Sequence, residues 1–166
     1  DYNLVINNFN DIIVYAMKAY KKILSIKEFN SKNPTVQMLG RWQPWHDGHF
    51  ELFKRAFAKT GQVAIMIRDV YSKDDNNNPF DISFVKKRII ESLDKKDFFI
   101  GNDYIILEVP NIVNITYGRD VGYKIEQETF NSSITDISAT NIRKNMDRKD
   151  MDRKDMDGRK SHHYAE

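Results

Sequence analysis

The fold of this chain is decided by the stretch TVQMLGRWQPWHDGH, residues 35–49. It begins with a β-branched and apolar run, Thr35–Leu39, which is typical of a buried strand. Apolar side chains then recur at helical spacing over Phe50–Lys59, so a helix is expected after a short loop. Strand, loop and helix in this order are the opening unit of a parallel α/β sheet. We therefore expect a doubly wound, Rossmann-like α/β fold with a mostly parallel sheet and helices on both faces.

Two of the four histidines, His46 and His49, lie at the predicted start of this helix on either side of Gly48. Their spacing places both imidazoles on one side of the first turn, and the glycine lets the backbone approach a ligand. The helix N-terminus adds free N–H groups and a positive dipole end. This combination predicts a phosphate site in which negative charge rises during a reaction. A surface histidine pair or part of a zinc site is the alternative, although no cysteine could complete the latter.

A second polar run, DISATNIR, occupies residues 136–143. Ser138 or Thr140 can cap a helix that continues to about Met146. Arg143, about one turn into that helix, would supply a planar guanidinium for bidentate binding of phosphate. The alternative is an ordinary helix cap followed by a solvated arginine.

Together the two runs resemble the HxGH nucleotidylyltransferase superfamily, whose second signature is ISxTxxR. The resemblance covers roughly residues 34–146, and the matching positions are His46, Gly48, His49, Ile137, Ser138, Thr140 and Arg143. It implies transfer of a nucleoside monophosphate from an NTP to a phosphorylated small-molecule acceptor, by direct in-line displacement with release of pyrophosphate. Mg²⁺ is expected on the triphosphate, held mostly by the substrate's own oxygens, and no metal site of the protein is predicted.

The same resemblance implies which residues form the site. His46 and His49 would hold the α-phosphate, and Ser138, Thr140 and Arg143 would hold the phosphates that leave. The implied catalytic residues are His46, His49 and Arg143. The implied nucleotide-binding residues are Gly40, Arg41, Gln43, His46, Gly48, His49, Ser138, Thr140 and Arg143.

Adenylyl transfer from ATP is the favoured reaction, because two further runs resemble archaeal nicotinamide-mononucleotide adenylyltransferases. These runs are Gly-Arg-Trp-Gln-Pro, residues 40–44, and Asn-Pro-Phe, residues 78–80, followed by a basic helix. The first alternative is CTP-dependent cytidylyl transfer to an alcohol phosphate. Such enzymes usually show Arg-Thr-x-Gly-Ile-Ser-Thr near the second signature, where this chain has Ser-Ser-Ile-Thr-Asp, residues 132–136. The second alternative is a non-catalytic nucleotide-binding domain attached to a kinase.

Four charged residues are candidates for binding the acceptor. Arg68 and Asp69 follow a predicted strand, residues 62–67, and ligands of open α/β sheets bind beyond the carboxyl ends of strands. Arg88 lies on a predicted helix, Ser83–Leu93, and Arg119 lies in a loop rich in glycine and tyrosine. Each of these residues could instead be an exposed surface charge. Tyr104–Val109 is predicted to be a third strand, and residues 114–116 a short fourth one.

The 166 residues divide into three predicted parts. Residues 1–33 form an N-terminal appendage or the end of a preceding domain, with a strand at residues 2–6 and a helix from Ile12 to Ile26. This part faintly resembles the last β-α unit of an adenylylsulfate-kinase-like domain, without its phosphate-binding loop. Residues 34–146 form the nucleotidylyltransferase domain. Residues 147–166 repeat Met-Asp-Arg-Lys-Asp, a mixed-charge composition typical of disorder.

Charge and composition narrow the class of partner. A net charge of +2 gives no basic field suited to nucleic acid, and no apolar stretch is long enough to span a membrane. The absence of cysteine is compatible with a reducing, cytoplasmic location. The expected partners are ATP or another NTP and a phosphorylated acceptor. The sequence leaves assembly into a homo-oligomer open.

Overall fold

The computed structural model describes residues 9–24, 27–120, 122–135 and 137–146. The predicted strand at residues 2–6 and the repeated tail, residues 147–166, lie outside the described residues. The elements in chain order are α1 (Phe9–Leu24), β1 (Val36–Gly40), α2 (Asp47–Thr60), β2 (Val63–Arg68), α3 (Ile82–Asp94), β3 (Tyr104–Val109), α4 (Ser132–Thr135) and α5 (Ala139–Asn145).

The three strands form one parallel sheet in the order β1-β2-β3. Val36 pairs with Val63, and Val63 pairs with Tyr104, so the strands start level with one another. Each crossover contains a helix, as a parallel pair requires. The predicted α/β, Rossmann-like fold is confirmed.

The prediction of a short strand over residues 114–116 is wrong. Pro110 directly follows β3 and has no N–H to extend the ladder, and the N–H of Ile112 turns back to the carbonyl of Pro110 at 2.7 Å. Ile112 and the three residues after it instead line a cavity beyond the ends of the strands.

The two faces of the sheet differ in burial. Val63, Ile65 and Ile67 alternate along β2 and are almost completely buried in the core that contains residues of α2 and α3. Side chains alternate between faces, so Met66 points to the opposite face. There it is only partly buried, and Leu107 is 38% exposed. The first face is thus the structural support of α2 and its N-terminus.

Local sequence explains where the two core helices begin and end. α2 starts at Asp47, three residues earlier than predicted, because His46 acts as its N-cap. It ends at Gly61, whose φ of 75° is the left-handed conformation that glycine adopts freely. Asp81 caps α3 by accepting a hydrogen bond from the N–H of Phe84 at 2.8 Å. The predicted bounds of α3 are confirmed to within one residue at each end.

The segment before β1 is attached to the amino-terminal edge of the sheet. The buried side chain of Gln62 donates to the carbonyl of Asn30 and to the hydroxyl of Thr35, and accepts from the N–H of Asn30. Phe29 adds a backbone hydrogen bond to Gly101. By contrast, the apolar side chains of α1 are exposed. No helix within the described ranges is long and apolar enough to cross a membrane.

Candidate active site

The loop between β1 and α2 is fixed from inside by one glutamine. The side chain of Gln43 is buried, donates to the carbonyl of Phe80 at 2.7 Å and accepts from the N–H of Phe80 at 2.9 Å. The following Gln43–Pro44 peptide is cis. These two contacts pair the amide side chain of Gln43 with the backbone of Phe80 and so fix the loop. The side chain of Gln43 thus has a structural role, and its contact with a nucleotide stays a prediction.

Gly40 makes room for a tryptophan. A Cβ atom at this position would lie 2.7 Å from two ring carbons of Trp42. Trp42 itself has a φ of 53°, and its indole N–H donates to the carbonyl of Met66 at 3.0 Å. Gly40, predicted to bind nucleotide, therefore has a packing role that is sufficient to explain it.

The two histidines cap α2 by binding each other's backbone. Nδ1 of His46 accepts from the N–H groups of Gly48 and His49, at 3.0 and 3.4 Å. Nδ1 of His49 accepts from the N–H of His46 at 3.2 Å. A neutral imidazole that accepts at Nδ1 carries its proton at Nε2. Each ring therefore keeps one N–H donor, at Nε2, that these capping contacts do not use.

The imidazole rings are stacked and packed against tryptophans. Their centroids lie 3.6 Å apart with 20° between the planes. His49 also contacts the edge of Trp42, at 4.8 Å between centroids, and Trp45, at 5.6 Å. Gly48 is required for this stack, because a Cβ there would lie 2.8 Å from Cε1 of His46.

Burial keeps both histidines neutral. Desolvation lowers the pKa of His49 to about 3, and the neighbouring His46 adds to that effect. Desolvation also lowers the pKa of His46, against the opposing charge of Asp47 and with a further contribution from Arg88. Near neutral pH the N-terminus of α2 therefore carries two uncharged imidazole donors and not two imidazolium ions.

The second motif is brought to the first although about ninety residues separate them. Arg143 donates through Nη1 to the carbonyl of Gln43 and through Nη2 to the hydroxyl of Thr140, at 3.3 Å. Ser138 caps α5 by accepting from the N–H of Asn141 at 3.1 Å. The predicted helix is confirmed, and of the two possible caps, Ser138 and Thr140, the structure has Ser138.

Two arginines approach each other at this junction. Burial lowers the pKa of Arg143, and the positive charge of Arg41 lowers it further, whereas Asp75 opposes the shift. Arg41 is exposed and donates to the side-chain oxygen of Asn78 at 3.2 Å. Asp75 in turn accepts from the amide of Asn78 at 2.7 Å. Two adjacent guanidinium groups with one nearby carboxylate favour binding of an anion.

Arg88 joins the histidine side of the site. Its Nε donates to the carbonyl of Trp45 at 2.9 Å and so holds the residue that precedes His46. A cavity of about 630 Å³ lies here. Its lining includes residues of both motifs and charged residues of α2, of α3 and of the turn after α3, namely His46, Asp47, Arg88, Glu91, Lys95, Lys96, Ile137 and Ile142.

The other three acceptor candidates lie elsewhere. Arg68 lines a separate cavity at the ends of β1 and β2. Asp69 is exposed, and its backbone N–H donates to the carbonyl of Val109. Arg119 is exposed and lines neither of the two cavities. Their assignment to the acceptor stays a prediction, and only Arg88 is placed beside the histidines.

Sequence reasoning missed the residues that hold the site in shape. Trp42 and Trp45 flank His49, and Asn78 holds Arg41. Trp42 and Trp45 could have been noticed in the sequence, because two tryptophans within four residues of His46 are unusual. Asn78 belongs to the Asn-Pro-Phe run noted in the sequence, but nothing local indicated its contact with Arg41, which lies 37 positions away in the chain.

Two curated proteins match parts of this chain, and both are named nicotinamide-nucleotide adenylyltransferase. The protein from Methanococcus aeolicus is 29% identical over 75 residues, which are 45% of this chain and 41% of that protein. The protein from Methanococcus maripaludis is 26% identical over 85 residues, 48% of this chain and 50% of that protein. No family model matches the chain.

These matches support a nucleotidylyltransferase-like relationship, which agrees with the general class predicted from the two motifs. The chain spans half or less of the length of these relatives.

Proposed function

We propose that this protein transfers a nucleoside monophosphate, AMP from ATP, to a phosphorylated small-molecule acceptor and releases pyrophosphate. The observation that carries the proposal is the neutral histidine pair at the start of α2. Both Nδ1 atoms are occupied by backbone N–H groups, so both remaining protons are at Nε2. Two fixed donors at a helix N-terminus suit an α-phosphate on which negative charge increases.

The reaction needs no proton from the enzyme. An oxygen of the acceptor's phosphate forms the new bond to the α-phosphorus of ATP. The bond from that phosphorus to the oxygen bridging to the β-phosphate breaks, and its electron pair leaves with pyrophosphate. Catalysis then consists of positioning two anionic reactants and stabilising the charge that develops.

Neutral donors are suited to this task for a physical reason. An imidazolium would attract the ground-state phosphates strongly as well, and binding energy already realised in the ground state does not raise kcat. A fixed N–H dipole in a partly buried site gains most where the charge grows. The pKa of about 3 at His49 keeps that donor uncharged across the physiological range.

The proposed role of Arg143 is to hold the β- and γ-phosphates. Its guanidinium is already oriented by the carbonyl of Gln43 and the hydroxyl of Thr140. Arg41 lies close enough to lower its pKa, so the two cations would share the leaving pyrophosphate. Ser138 supports this arrangement as the cap of α5.

Mg²⁺ would reach the site on the triphosphate. No group of three or more histidine or carboxylate side chains that could hold a metal occurs in the part of the chain that the structure describes. Such an ion would be held mostly by the phosphate oxygens of the substrate. It would supply charge neutralisation for the leaving pyrophosphate.

The test is pyrophosphate release from a panel of ATP and CTP, each with several phosphorylated acceptors. Release that requires ATP and an acceptor supports adenylyl transfer, whereas a requirement for CTP supports the cytidylyl alternative. Nucleotide binding without release in any combination supports the non-catalytic alternative. Gly48→Ala is a control for site geometry, because its Cβ would meet the ring of His46.

A further inference from the structure

A second cavity, of about 410 Å³, opens at the carboxyl end of the sheet. Leu39 on β1 and Arg68 on β2 belong to the sheet face that α2 and α3 do not cover, as the register of β1 and β2 requires. Residues beyond β3 complete its lining, which consists of Leu39, Arg68, Ile112, Val113, Asn114 and Ile115. The histidine pair is not part of this cavity.

The guanidinium of Arg68 is only partly hydrogen-bonded among the described residues. Its Nη2 donates to the side-chain oxygen of Asn111 at 2.7 Å. Its Nε is buried and has no hydrogen-bond partner among the described residues. A buried donor without a partner is costly, and an anionic oxygen is its strongest partner. The cationic guanidinium, with no carboxylate in the lining of the cavity, points to an anionic ligand.

The remaining walls define the body of that ligand. Four lining side chains are aliphatic, one is an amide and none is aromatic. Aliphatic walls give contact area without a ring face on which a base could stack. The cavity therefore favours a compact, non-aromatic body with one anionic group.

We propose that this cavity binds the acceptor, a phosphate monoester of a compact non-aromatic alcohol or sugar, with its phosphate on Arg68. This inference rests on the proposed nucleotidylyl transfer and names the substrate class of that reaction. β1 ends beside the cavity and continues into the loop that carries His46, so both sites share one edge of the sheet. The positive charge of Arg68 also reduces repulsion between two anionic substrates.

The experiment measures binding by calorimetry with two probes that differ by one aromatic ring, ribose 5-phosphate and nicotinamide mononucleotide. Ribose 5-phosphate should bind at least as tightly as the nucleotide. Arg68→Ala should weaken both by about 10- to 100-fold, as expected when a charged hydrogen bond is lost. Arg68→Lys should lose less of the affinity for the two probes. Lys87→Ala, which removes an exposed charge on α3, is the control and should bind both probes as the wild type does.

A second variant tests the walls without touching the charge. Val113 is 82% exposed, so Val113→Trp should fold normally while it narrows the cavity. It should weaken ribose 5-phosphate binding and leave ATP affinity unchanged. Unchanged binding in Arg68→Ala, or nicotinamide mononucleotide binding more than tenfold tighter than ribose 5-phosphate, would overturn the assignment.

The two proposals fail in different ways. If no pyrophosphate is released but binding depends on Arg68, the transfer reaction is wrong and the cavity stands. If Arg68→Ala releases pyrophosphate with the wild-type KM for the acceptor, the cavity is not the acceptor site and the transfer reaction stands.

Discussion

The two motif regions of this molecule are built differently. The first motif region, residues 41–49, is held by buried hydrogen bonds, with Gln43, Trp42 and Trp45 inside the core. The second motif region, residues 132–146, contains no fully buried residue among those described; Arg143 donates a hydrogen bond to the first region, and Met146 packs against the edge of the core. The segment before it is tied to α2 by the exposed ion pairs of Lys59 with Glu126 and Glu128. The more rigidly held region is thus the one that carries the two histidines, where negative charge would develop during the proposed reaction.

This difference indicates how the two regions would share the work. Donors that act on the transition state need fixed positions, because reorganising them during the reaction reduces the gain. Groups that hold the leaving phosphates contribute to binding in the ground state as well, so a looser attachment costs less. Substitutions in the first motif region should therefore affect mainly the rate, and those in the second should affect affinity and rate together.

The largest effect is expected from His49→Ala. It removes one of the two Nε2 donors, and a lost donor of this kind typically costs about 10²- to 10³-fold in kcat. Affinity for ATP should change much less. Steady-state rates together with calorimetric ATP affinities measure both quantities. His49→Gln, whose amide can donate from a similar position, should recover part of the rate, and an unchanged kcat in His49→Ala would exclude His49 from catalysis.

The next largest effect is expected from Arg143. Arg143→Ala should raise the Kd for ATP and lower kcat together, because the β- and γ-phosphates are present in both states. Arg143→Lys keeps the charge but loses the planar fork, so it should remain impaired. Separate titrations of ATP and acceptor distinguish the two substrates. If Arg143→Ala lost acceptor binding and kept ATP binding, Arg143 would contact the acceptor and not the phosphates of ATP.

A smaller effect concerns stability and pH. The pKa of His49 is about 3 in the folded protein and 6.5 as its ordinary value, so between these values only the unfolded chain takes up the proton. Its contribution to stability is complete above pH 6.5 and is lost as the pH falls, by up to about 1.4 kcal/mol per pH unit. Denaturant unfolding of the wild type and His49→Gln from pH 6.5 to 5 tests this. Equal slopes in the two proteins would contradict the neutral buried state.

The smallest effect is expected from Ser138→Ala. The hydroxyl of Ser138 accepts from the N–H of Asn141, and loss of such a cap costs roughly 1 kcal/mol. Because the second motif region is weakly attached, the loss should appear as a modestly higher KM for ATP with little change in melting temperature. Ser133→Ala, on the neighbouring α4, is the matched control. A fall in melting temperature as large as that of a core substitution would show that α5 is part of the core.

Elements with a local signal were predictable from the sequence. Apolar spacing predicted the three strands and α3 to within one residue and α2 except for its first turn, because their buried faces repeat along the chain. The strand expected at residues 114–116 failed because a β-branched, apolar composition does not reveal that Pro110 has ended the ladder. A local pattern thus predicts that a segment can form a strand better than it predicts whether that segment can pair with the edge of a sheet.

The site was predictable as residue types but not as contacts. The spacing of His46 and His49 predicted two imidazoles on one turn, and the structure places them there. The sequence could not indicate that the side chain of Gln43 is hydrogen-bonded to the backbone of Phe80, since these residues lie 37 positions apart. It also could not separate Arg68, at the end of β2, from Arg88, within α3, because the sequence does not show which cavity each side chain lines. Tertiary packing alone assigns these two arginines to different cavities.

The most direct measurement of the central claim is nitrogen-15 NMR of the two imidazoles near neutral pH. The account predicts that His46 and His49 are both neutral, with the proton at Nε2 and an unprotonated Nδ1, and that His49 stays so at pH 5. A proton at Nδ1 of either ring, or an imidazolium at His49 above pH 5, would contradict it. In that case the backbone N–H groups of α2 would not be capped as described, and the two Nε2 donors would not be fixed toward a phosphate.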